Sequence, residues 1–189
     1  MHHLPTTVFL DRDGVINRKM PPGAYVETWG QFEFLPGSVE ALRLLAAARI
    51  RVVVVTNQRG VALGRMTMAR VDEIHRLMQA ELTSNVAQCA AVLVCPHEED
   101  TCDCRKPGLG LFRQAQQLIP EIDLDRAAVV GDSATDLLAG NSLGCASFLV
   151  GDETRLAEVL AEHPDLRVAC SAPSLIELVT RCLGLTSAS

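Results

Sequence analysis

The amino-acid sequence predicts an α/β protein with a mainly parallel sheet flanked by helices. Short apolar runs rich in valine and leucine alternate along the chain with longer segments of helical spacing. The run Arg-Val-Val-Val-Val at 51–55 has no polar face, which is typical of a strand that is covered on both sides. Of the 189 residues, 48% are hydrophobic and only 4% are aromatic, so we expect a core of small aliphatic side chains. The alternation of strands and helices implies right-handed crossovers in a Rossmann-like arrangement.

Five strands are predicted from apolar runs with polar or glycine-containing borders, at 7–10, 51–55, 90–94, 127–130 and 146–150. Six helices are predicted from apolar residues three and four apart, at 38–48, 67–82, 109–118, 135–143, 155–161 and 174–183. Ser38 is expected to cap the first helix. The segment 13–35 is a long irregular loop, and loops of this length are usually functional. Its rings Trp29, Phe32 and Phe34 are expected to form a small core of their own.

Length and charge restrict the classes of protein and partner. The length suits one domain spanning 1–189, without repeats or linkers. A net charge of -6 and the lack of a basic run argue against nucleic acid as a partner. Without a long apolar segment or a signal peptide, we expect no membrane partner and a cytoplasmic location. We also expect a monomer, and we interpret His2 and His3 as solvated side chains rather than metal ligands.

Polar side chains follow the apolar runs where three predicted strands end. They are Asp11 and Asp13 after strand one, Thr56 and Asn57 after strand two, and Asp132 and Asp136 after strand four. Because the carboxyl ends of parallel strands share one edge, we expect these groups to lie together with Lys106. Clustered carboxylates repel unless a cation lies between them, and Mg²⁺ prefers oxygen ligands that it shares with a phosphate. Each residue alone also has a structural explanation, as a turn acid, a cap or a solvated charge.

Three cysteines and one histidine are concentrated in a short segment. They are Cys95, His97, Cys102 and Cys104. Three thiolates and one imidazole suit tetrahedral Zn²⁺, and a site closed by four protein ligands is structural rather than catalytic. The alternative is a surface loop with incidental cysteines. The other four cysteines, Cys89, Cys145, Cys170 and Cys182, are interpreted as small core residues, and His75 as a surface or boundary side chain.

Four motifs together resemble those of the haloacid dehalogenase superfamily. They are Asp-x-Asp-Gly-Val at 11–15, Thr-Asn-Gln at 56–58, Arg-Lys-Pro at 105–107 and Gly-Asp-x-x-x-Asp at 131–136. The resemblance implies a phosphatase in which Asp11 is the nucleophile and Asp13 the general acid and base. It also implies that Thr56 and Lys106 hold the phosphoryl group. Mg²⁺ would be bound by Asp11, Asp13 and Asp132, with Asp136 behind these ligands or on a metal-bound water. No insertion large enough for a cap domain follows Asp11 or Thr56.

The Cys/His loop makes the chain similar to a capless branch of this superfamily. The branch contains heptose 1,7-bisphosphate phosphatases and histidinol-phosphate phosphatases. Asp-Arg-Asp-Gly-Val-Ile-Asn at 11–17 and Phe-Leu-Pro-Gly at 34–37 favour the heptose enzymes, whereas the loop 18–24 is longer than their pattern. The residues expected to bind a phosphorylated sugar are Tyr25, Thr56, Asn57, Gln58, Arg59, Arg105 and Lys106, and arginines also suit a second phosphate.

Two alternatives stay open at this level. Glu98, Glu99 and Asp100 could receive the cationic side of histidinol phosphate, although a solvated acidic turn is the commoner role for such a run. The chain could also be a zinc-stabilised regulatory module that binds phosphate without turnover. Hydrolysis of a simple aryl phosphate would separate an enzyme from such a module.

Overall fold

The computed structural model describes residues 4–186, and these contain six strands in one parallel sheet. The strands are β1 (Thr7–Leu10), β2 (Arg51–Asn57), β3 (Ala91–Cys95), β4 (Ala127–Gly131), β5 (Ala146–Val150) and β6 (Cys170–Ala172). Their order, β3-β2-β1-β4-β5-β6, reverses direction between β1 and β4. Ligands of open α/β sheets bind beyond the carboxyl ends of the strands at such a reversal. His2 and His3 lie outside the described residues.

Six helices cover the two faces of the sheet. They are α1 (Ser38–Ala47), α2 (Met68–Ser84), α3 (Gly110–Leu118), α4 (Ala134–Ser142), α5 (Glu153–Glu162) and α6 (Leu175–Glu177), which continues as a π-helical segment at Leu178–Cys182. Short 3₁₀ turns lie at Trp29–Gln31 and Leu124–Arg126. The α/β prediction is therefore confirmed, and the predicted helices differ from these mainly at their ends. In the described part of the chain, no helix combines the length and the apolar character that crossing a membrane requires.

The first helix has a different cap from the one predicted. Gly37 is the N-cap residue, and Ser38 is already helical and fully buried. Gly37 has a φ of 77°, in the left-handed region, and a Cβ on it would lie 2.6 Å from a side-chain carbon of Ile176. The close approach of the C-terminal helix therefore requires glycine at this position, and it displaces the expected serine cap.

Successive residues of the central strands supply two separate cores. Val8 and Leu10 of β1 pack on one face of the sheet, and Phe9 packs on the other, where its ring contacts Phe112 at a centroid distance of 5.0 Å. This alternation is the expected pleat of a strand that is covered on both sides. The central strands are thus fixed from both faces, and their carboxyl ends provide a rigid base for the residues that follow them.

The loop 13–35 is anchored rather than loose. Trp29 and Phe32 stack at 4.9 Å, and Phe34 meets Phe32 edge-on at 5.0 Å. Phe32 is buried in the same core as Val8 and Leu10, so these rings extend the main core instead of forming a separate one. The loop is consequently held against the sheet close to the ends of β1 and β2.

One prediction about the cysteines is wrong. Cys170 and Cys182 form a disulfide, which joins β6 to the π-helical segment at the C-terminal end of the fold. Residues 170–172 contain no apolar run, so the sequence carries no signal for the strand that holds Cys170 or for its proximity to Cys182. Cys89 and Cys145 are buried thiols, as predicted.

Candidate active site

Three carboxylates converge where β1 and β4 end. These strands are neighbours, with Leu10 opposite Val130, so Asp11 and Asp132 leave the sheet side by side. Asp136 lies in the first turn of α4. One oxygen from each of the three carboxylates lies within 4.8 Å of the others. Hard oxygen donors at this spacing suit Mg²⁺, which was the expected metal.

Gly14 is required for this convergence. Its φ is 88°, and a Cβ at this position would lie 2.3 Å from Oδ2 of Asp132. Any other residue would be strained in the left-handed region and would also push Asp132 out of the cluster. The turn after β1 therefore needs glycine for both conformation and space.

Lys106 neutralises part of the negative charge of the three carboxylates. Its Nζ lies 2.6 Å from Oδ1 of Asp136, 2.9 Å from Oδ1 of Asp11 and 2.6 Å from the carbonyl oxygen of Val55. The side chain is 2% exposed. Burial lowers the pKa of Lys106, but the adjacent Asp11 and Asp136 outweigh it, so the pKa is raised and the amine stays charged. With three acceptors for its three N–H groups, Lys106 holds both Asp11 and Asp136 in place.

The electrostatics of Asp11 indicate that the cluster needs a further cation. Burial raises the pKa of Asp11, Lys106 lowers it, and the nearby Asp136 raises it again, to about 7 overall. Burial is also the main reason why the pKa of Asp132 is raised, against the lowering effect of Lys19. A divalent ion among these oxygens would favour the ionised form of each carboxylate.

Asp132 has one free oxygen and one that is paired. Lys19 of the loop 13–35 places its Nζ 2.6 Å from Oδ2. Oδ1 is buried, and among residues 4–186 it has no hydrogen-bond partner. A buried carboxylate oxygen without a partner is costly, and a metal ion is one of the partners that would satisfy it. The residues present therefore fit Mg²⁺.

Asp13 lies outside the three-carboxylate group, and its expected role as a metal ligand stays a prediction. Its oxygens accept hydrogen bonds from Arg12 Nη2 at 2.9 Å, from Asn17 Nδ2 at 2.9 Å and from Gln58 Nε2 at 2.8 Å. Burial raises the pKa of Asp13, but Arg12 and the other donors lower it by more, so the net pKa is below its usual value. The position at the cleft still suits proton transfer to a bound substrate.

The residues at the carboxyl end of β2 support the site from within the protein. Thr56 is fully buried, and its Oγ1 accepts a hydrogen bond from Gln58 Nε2 at 2.9 Å. The amide of Asn57 pairs with the backbone of Lys106, at 3.0 Å to its N–H and 3.1 Å to its carbonyl oxygen. Gln58 and Asn57 thus hold Asp13 and the Lys106 loop in place, in addition to lining the cleft that substrate would enter.

The predicted zinc ligands form a compact cluster. Cys95, Cys102 and Cys104 place their sulfur atoms 3.2–3.5 Å apart, and Nδ1 of His97 lies 3.1 Å from Cys104 and 3.7 Å from Cys95. A tetrahedral ion with Zn–S bonds of about 2.3 Å gives ligand separations of roughly 3.8 Å, so these four residues fit Zn²⁺.

A cation would also be needed to stabilise the ionised forms of the three thiols. Burial raises the pKa of Cys102, but hydrogen bonds from Cys104 and from the backbone of Arg105 lower it to about 7. The pKa values of Cys95 and Cys104 are raised, in both cases chiefly by burial. One thiolate can therefore form in the bare cluster, and a metal ion would be needed to ionise all three.

Two of the arginines expected to bind substrate are held by the acidic turn at 98–100. Glu99 accepts hydrogen bonds from Arg59 at 3.3 Å and from Arg105 at 3.1 Å, and Glu98 pairs with Nε of Arg59. Nη1 of Arg105 is buried and has no hydrogen-bond partner in the described part of the chain. The acidic turn therefore orients arginines instead of standing open for a cationic substrate.

A cleft of about 190 Å³ lies in front of Asp13. Tyr25, Lys19 and the prolines of the loop 13–35 form its outer wall, and Asn57 and Gln58 its inner wall. Met20, Gly23, Ala24 and Val26 complete this lining. The longer loop noted in the sequence thus lines this cleft together with Asp13.

Sequence reasoning missed two residues behind Asp13. Arg12 is 1% exposed, and His75, predicted at the surface or boundary, is only 7% exposed. Nη1 of Arg12 lies 2.9 Å from Nε2 of His75. These residues are 63 positions apart, and a lone arginine or histidine carries no sequence signal for such a pair. The one sign of its burial in the sequence is that His75 lies on the same helix face as Ile74 and Met78, which are buried.

Comparisons with known proteins show the family to which this chain belongs. A model of the HAD-hydrolase-like family matches residues 103–178. The chain is 43% identical over 150 residues to a D-glycero-alpha-D-manno-heptose-1,7-bisphosphate 7-phosphatase of Mycobacterium bovis, covering 76% of this chain and 78% of that one. A D-glycero-beta-D-manno-heptose-1,7-bisphosphate 7-phosphatase of Bordetella bronchiseptica is 38% identical over 144 residues, covering 76% and 79%.

A solved structure extends the similarity to nearly the whole fold. The crystal structure of D,D-heptose 1,7-bisphosphate phosphatase from B. bronchiseptica, complexed with magnesium and phosphate, superposes with a TM-score of 0.83 and 33% identity. The match covers 95% of this chain and 98% of that one. Like these relatives, the chain is a phosphoric monoester hydrolase rather than a binding module. It belongs to the haloacid dehalogenase-like phosphatases, in the family of the D-glycero-D-manno-heptose-1,7-bisphosphate 7-phosphatases.

Proposed function

We propose that this chain removes the C7 phosphate of D-glycero-D-manno-heptose 1,7-bisphosphate through an aspartyl-phosphate formed on Asp11. The observation that carries the proposal is the convergence of Asp11, Asp132 and Asp136 around one point, with Lys106 bound to Asp11. The names of the relatives supply the substrate, and their identities of up to 43% make a shared substrate the first choice. We place the enzyme in the cytoplasm, acting as a monomer.

The Mg²⁺ ligands in this proposal are Asp11 and Asp132, with Asp136 beside them. The ion supplies charge neutralisation, which lets an anionic carboxylate approach a phosphate dianion. Lys106 contributes a second positive charge at the same point, and it fixes Asp11 through a hydrogen bond of 2.9 Å. The magnesium and phosphate in the B. bronchiseptica structure support this choice of metal.

Two displacements then occur at phosphorus. In the first, an oxygen of Asp11 forms a bond to phosphorus while the bond to the C7 oxygen of the sugar breaks, and Asp13 gives that oxygen its proton. In the second, Asp13 takes a proton from a water, whose oxygen attacks phosphorus and releases Asp11 and inorganic phosphate. The proton on Asp13 is thus returned in each cycle.

Asp13 must be protonated when the first step begins, although its pKa is lowered in the free protein. A phosphate dianion in the cleft adds negative charge beside Asp13, and like charge raises the pKa of a carboxyl group. We therefore expect the proton to be taken up with the substrate. Arg12, Asn17 and Gln58 hold Asp13 outside the three-carboxylate group. The acid/base role of Asp13 is thereby separated from the nucleophile and metal-ligand roles of that group.

Zinc is proposed as a structural ion at Cys95, His97, Cys102 and Cys104. Cys104 is separated from Lys106 only by Arg105, so the ion would fix the loop that delivers both cations. Asn57 fastens the other side of this loop to the end of β2. Loss of zinc should reduce activity through Arg105 and Lys106 and not through any zinc chemistry.

The pairing of two arginines with the acidic turn supports the sugar bisphosphate over histidinol phosphate. Glu98 and Glu99 orient Arg59 and Arg105, and guanidinium groups suit a second phosphate. The same pairing leaves the two glutamates engaged, so a substrate ammonium group would have to displace an arginine. Tyr25 and the loop 13–35 would contact the sugar from the opposite wall.

Phosphate release from the two candidate substrates tests the proposal. Both anomers of the heptose bisphosphate and histidinol phosphate are assayed in parallel with Mg²⁺ and zinc-replete enzyme. We expect kcat/KM to favour the bisphosphate by a hundredfold or more, about 2.7 kcal/mol of transition-state discrimination. A preference for histidinol phosphate would overturn the substrate assignment while leaving the phosphatase chemistry intact.

A further inference from the structure

Arg12 is a buried cation that is not among the residues lining the cleft. Its side chain lies next to three groups: Asp13, whose two oxygens both accept from Nη2 at 2.9 Å; His75, whose Nε2 lies 2.9 Å from Nη1; and Phe32, whose ring centroid is 5.9 Å from the guanidinium carbon. A fully buried guanidinium is costly unless it is paired and hydrogen-bonded. Here the charge is paired with the proposed acid/base Asp13 and both terminal nitrogens have partners, whereas Nε has none among the described residues.

His75 contacts Nη1 of Arg12, whereas Asp13 binds Nη2, and the ring of His75 is held in a fixed position. Arginine can only donate, so Nε2 of His75 accepts and the ring is neutral with its proton on Nδ1. Burial and the neighbouring Arg12 lower the pKa of His75 to about 3, in agreement with a neutral ring. The ring belongs to the buried face of α2, together with Ile74 and Met78, and it is 7% exposed. It therefore cannot follow Arg12 if the guanidinium moves.

We propose that His75 is a positioning residue for phosphoryl transfer, which acts through Arg12 to hold the carboxylate of Asp13 in line with the leaving oxygen. The inference rests on the proposed acid/base role of Asp13. A general acid works only within hydrogen-bond reach of the atom that it protonates, and a misplacement of about 1 Å can cost on the order of a hundredfold in rate. Asn17 and Gln58 restrain Asp13 from its other sides, and Arg12 is its one ionic restraint in the described chain.

The geometry excludes His75 as a direct proton donor. Its Nε2 faces the guanidinium and not the cleft, and no proton can pass through an arginine that stays charged. His75 is also absent from the residues that line the cleft. It influences the reaction only through the position of Arg12, which distinguishes it from Asp13.

The dependence of kcat/KM on the leaving group distinguishes a positioning role of His75 from a purely structural one. The acid is needed to expel a poor leaving group such as phenolate or an alkoxide, whereas nitrophenolate leaves without a proton. We therefore measure kcat/KM of His75→Leu with phenyl phosphate and with p-nitrophenyl phosphate, which have nearly the same shape. We expect a loss of roughly 10- to 100-fold on phenyl phosphate and less than about threefold on p-nitrophenyl phosphate. His75→Gln, whose side-chain oxygen can accept from Arg12, should restore most of the lost rate.

Asp13→Asn is the reference variant. If its kcat/KM falls equally on both substrates, the role of Asp13 as general acid in the proposed function fails. The other outcome is that Asp13→Asn shows the expected selectivity for the leaving group. In that case the positioning role of His75 is wrong if His75→Leu keeps the wild-type ratio of the two rates, whether or not both rates fall. Should His75→Leu fail to fold, His75→Asn takes its place, because its short amide cannot reach Arg12, and the same ratio decides.

Discussion

Replacing His75 by glutamine should make the stability of the protein less sensitive to acid. His75 has an ordinary pKa of 6.5 and a pKa of about 3 in the folded protein, chiefly because burial disfavours its charged form. The unfolded chain therefore binds a proton at this residue before the folded protein does. Stability is then lost as the pH falls below about 6.5, and the loss ends near pH 3, where both states are protonated.

The size of the effect follows from the pKa of the unfolded state. At pH 5, which is 1.5 units below the ordinary pKa of 6.5, protonation favours the unfolded chain by about 2 kcal/mol, at about 1.36 kcal/mol per unit. At pH 7 the free energy by which protonation of His75 favours the unfolded chain is close to zero. Glutamine does not titrate, and its side-chain oxygen can still accept from Arg12. The free energy of unfolding should therefore fall by about 2 kcal/mol more for the wild type than for His75→Gln between these pH values.

Urea unfolding at pH 7, 6 and 5 measures this difference. Because every other titrating group is common to the two proteins, the change in their stability difference with pH isolates His75. Both are kept zinc-replete, so that proton competition at the Cys/His cluster also cancels. Parallel stability curves across this pH range would refute the conclusion that the folded protein keeps His75 neutral.

Four further predictions concern the cations and the nucleophile. Asp11→Asn should lower kcat by about 10⁴-fold or more without altering the unfolding midpoint; near-normal turnover would exclude Asp11 as nucleophile. Lys106→Met should destabilise the fold by about 3–5 kcal/mol in urea, because it strands Asp136, which is 1% exposed; an unchanged midpoint would contradict the buried pair. Lys19→Gln should tighten Mg²⁺ binding by roughly two- to fivefold in calorimetry, since it removes an exposed competitor for Asp132, and weaker binding would contradict this. Chelation of zinc should reduce turnover and make the thiols of Cys102 and Cys104 more reactive toward a thiol reagent, whereas full activity of the zinc-free protein would contradict the structural role.

The strands and the carboxyl-edge cluster could be predicted because their signals are local. The apolar run at 51–55 is too short for a helix and lacks a polar face, so it could only be a buried strand. Asp11 and Asp132 each follow such a run directly, and parallel strands bring their carboxyl ends to one edge. The spacing of Cys95, His97, Cys102 and Cys104 is likewise contained in ten residues, and the structure gathers all four.

The contacts that were missed depend on tertiary packing. Lys19 looks like any solvated lysine in a polar loop, and only the folded loop brings it to Asp132. The burial of Arg12 depends on a histidine 63 residues away and on the position of Phe32. β6 contains only three residues and has no apolar run, so neither this strand nor the Cys170–Cys182 disulfide was visible in the sequence. In each case the determining partner is remote in the chain.

Covalent labelling of the enzyme during turnover tests the central claim most directly. Enzyme is mixed with heptose bisphosphate carrying ³²P at C7 and quenched in acid within the time of one turnover. The account predicts a hydroxylamine-sensitive label on the peptide that contains Asp11, formed at least as fast as kcat and missing in Asp11→Asn. Release of labelled phosphate at the normal rate, with no label on the protein at any time, would contradict it.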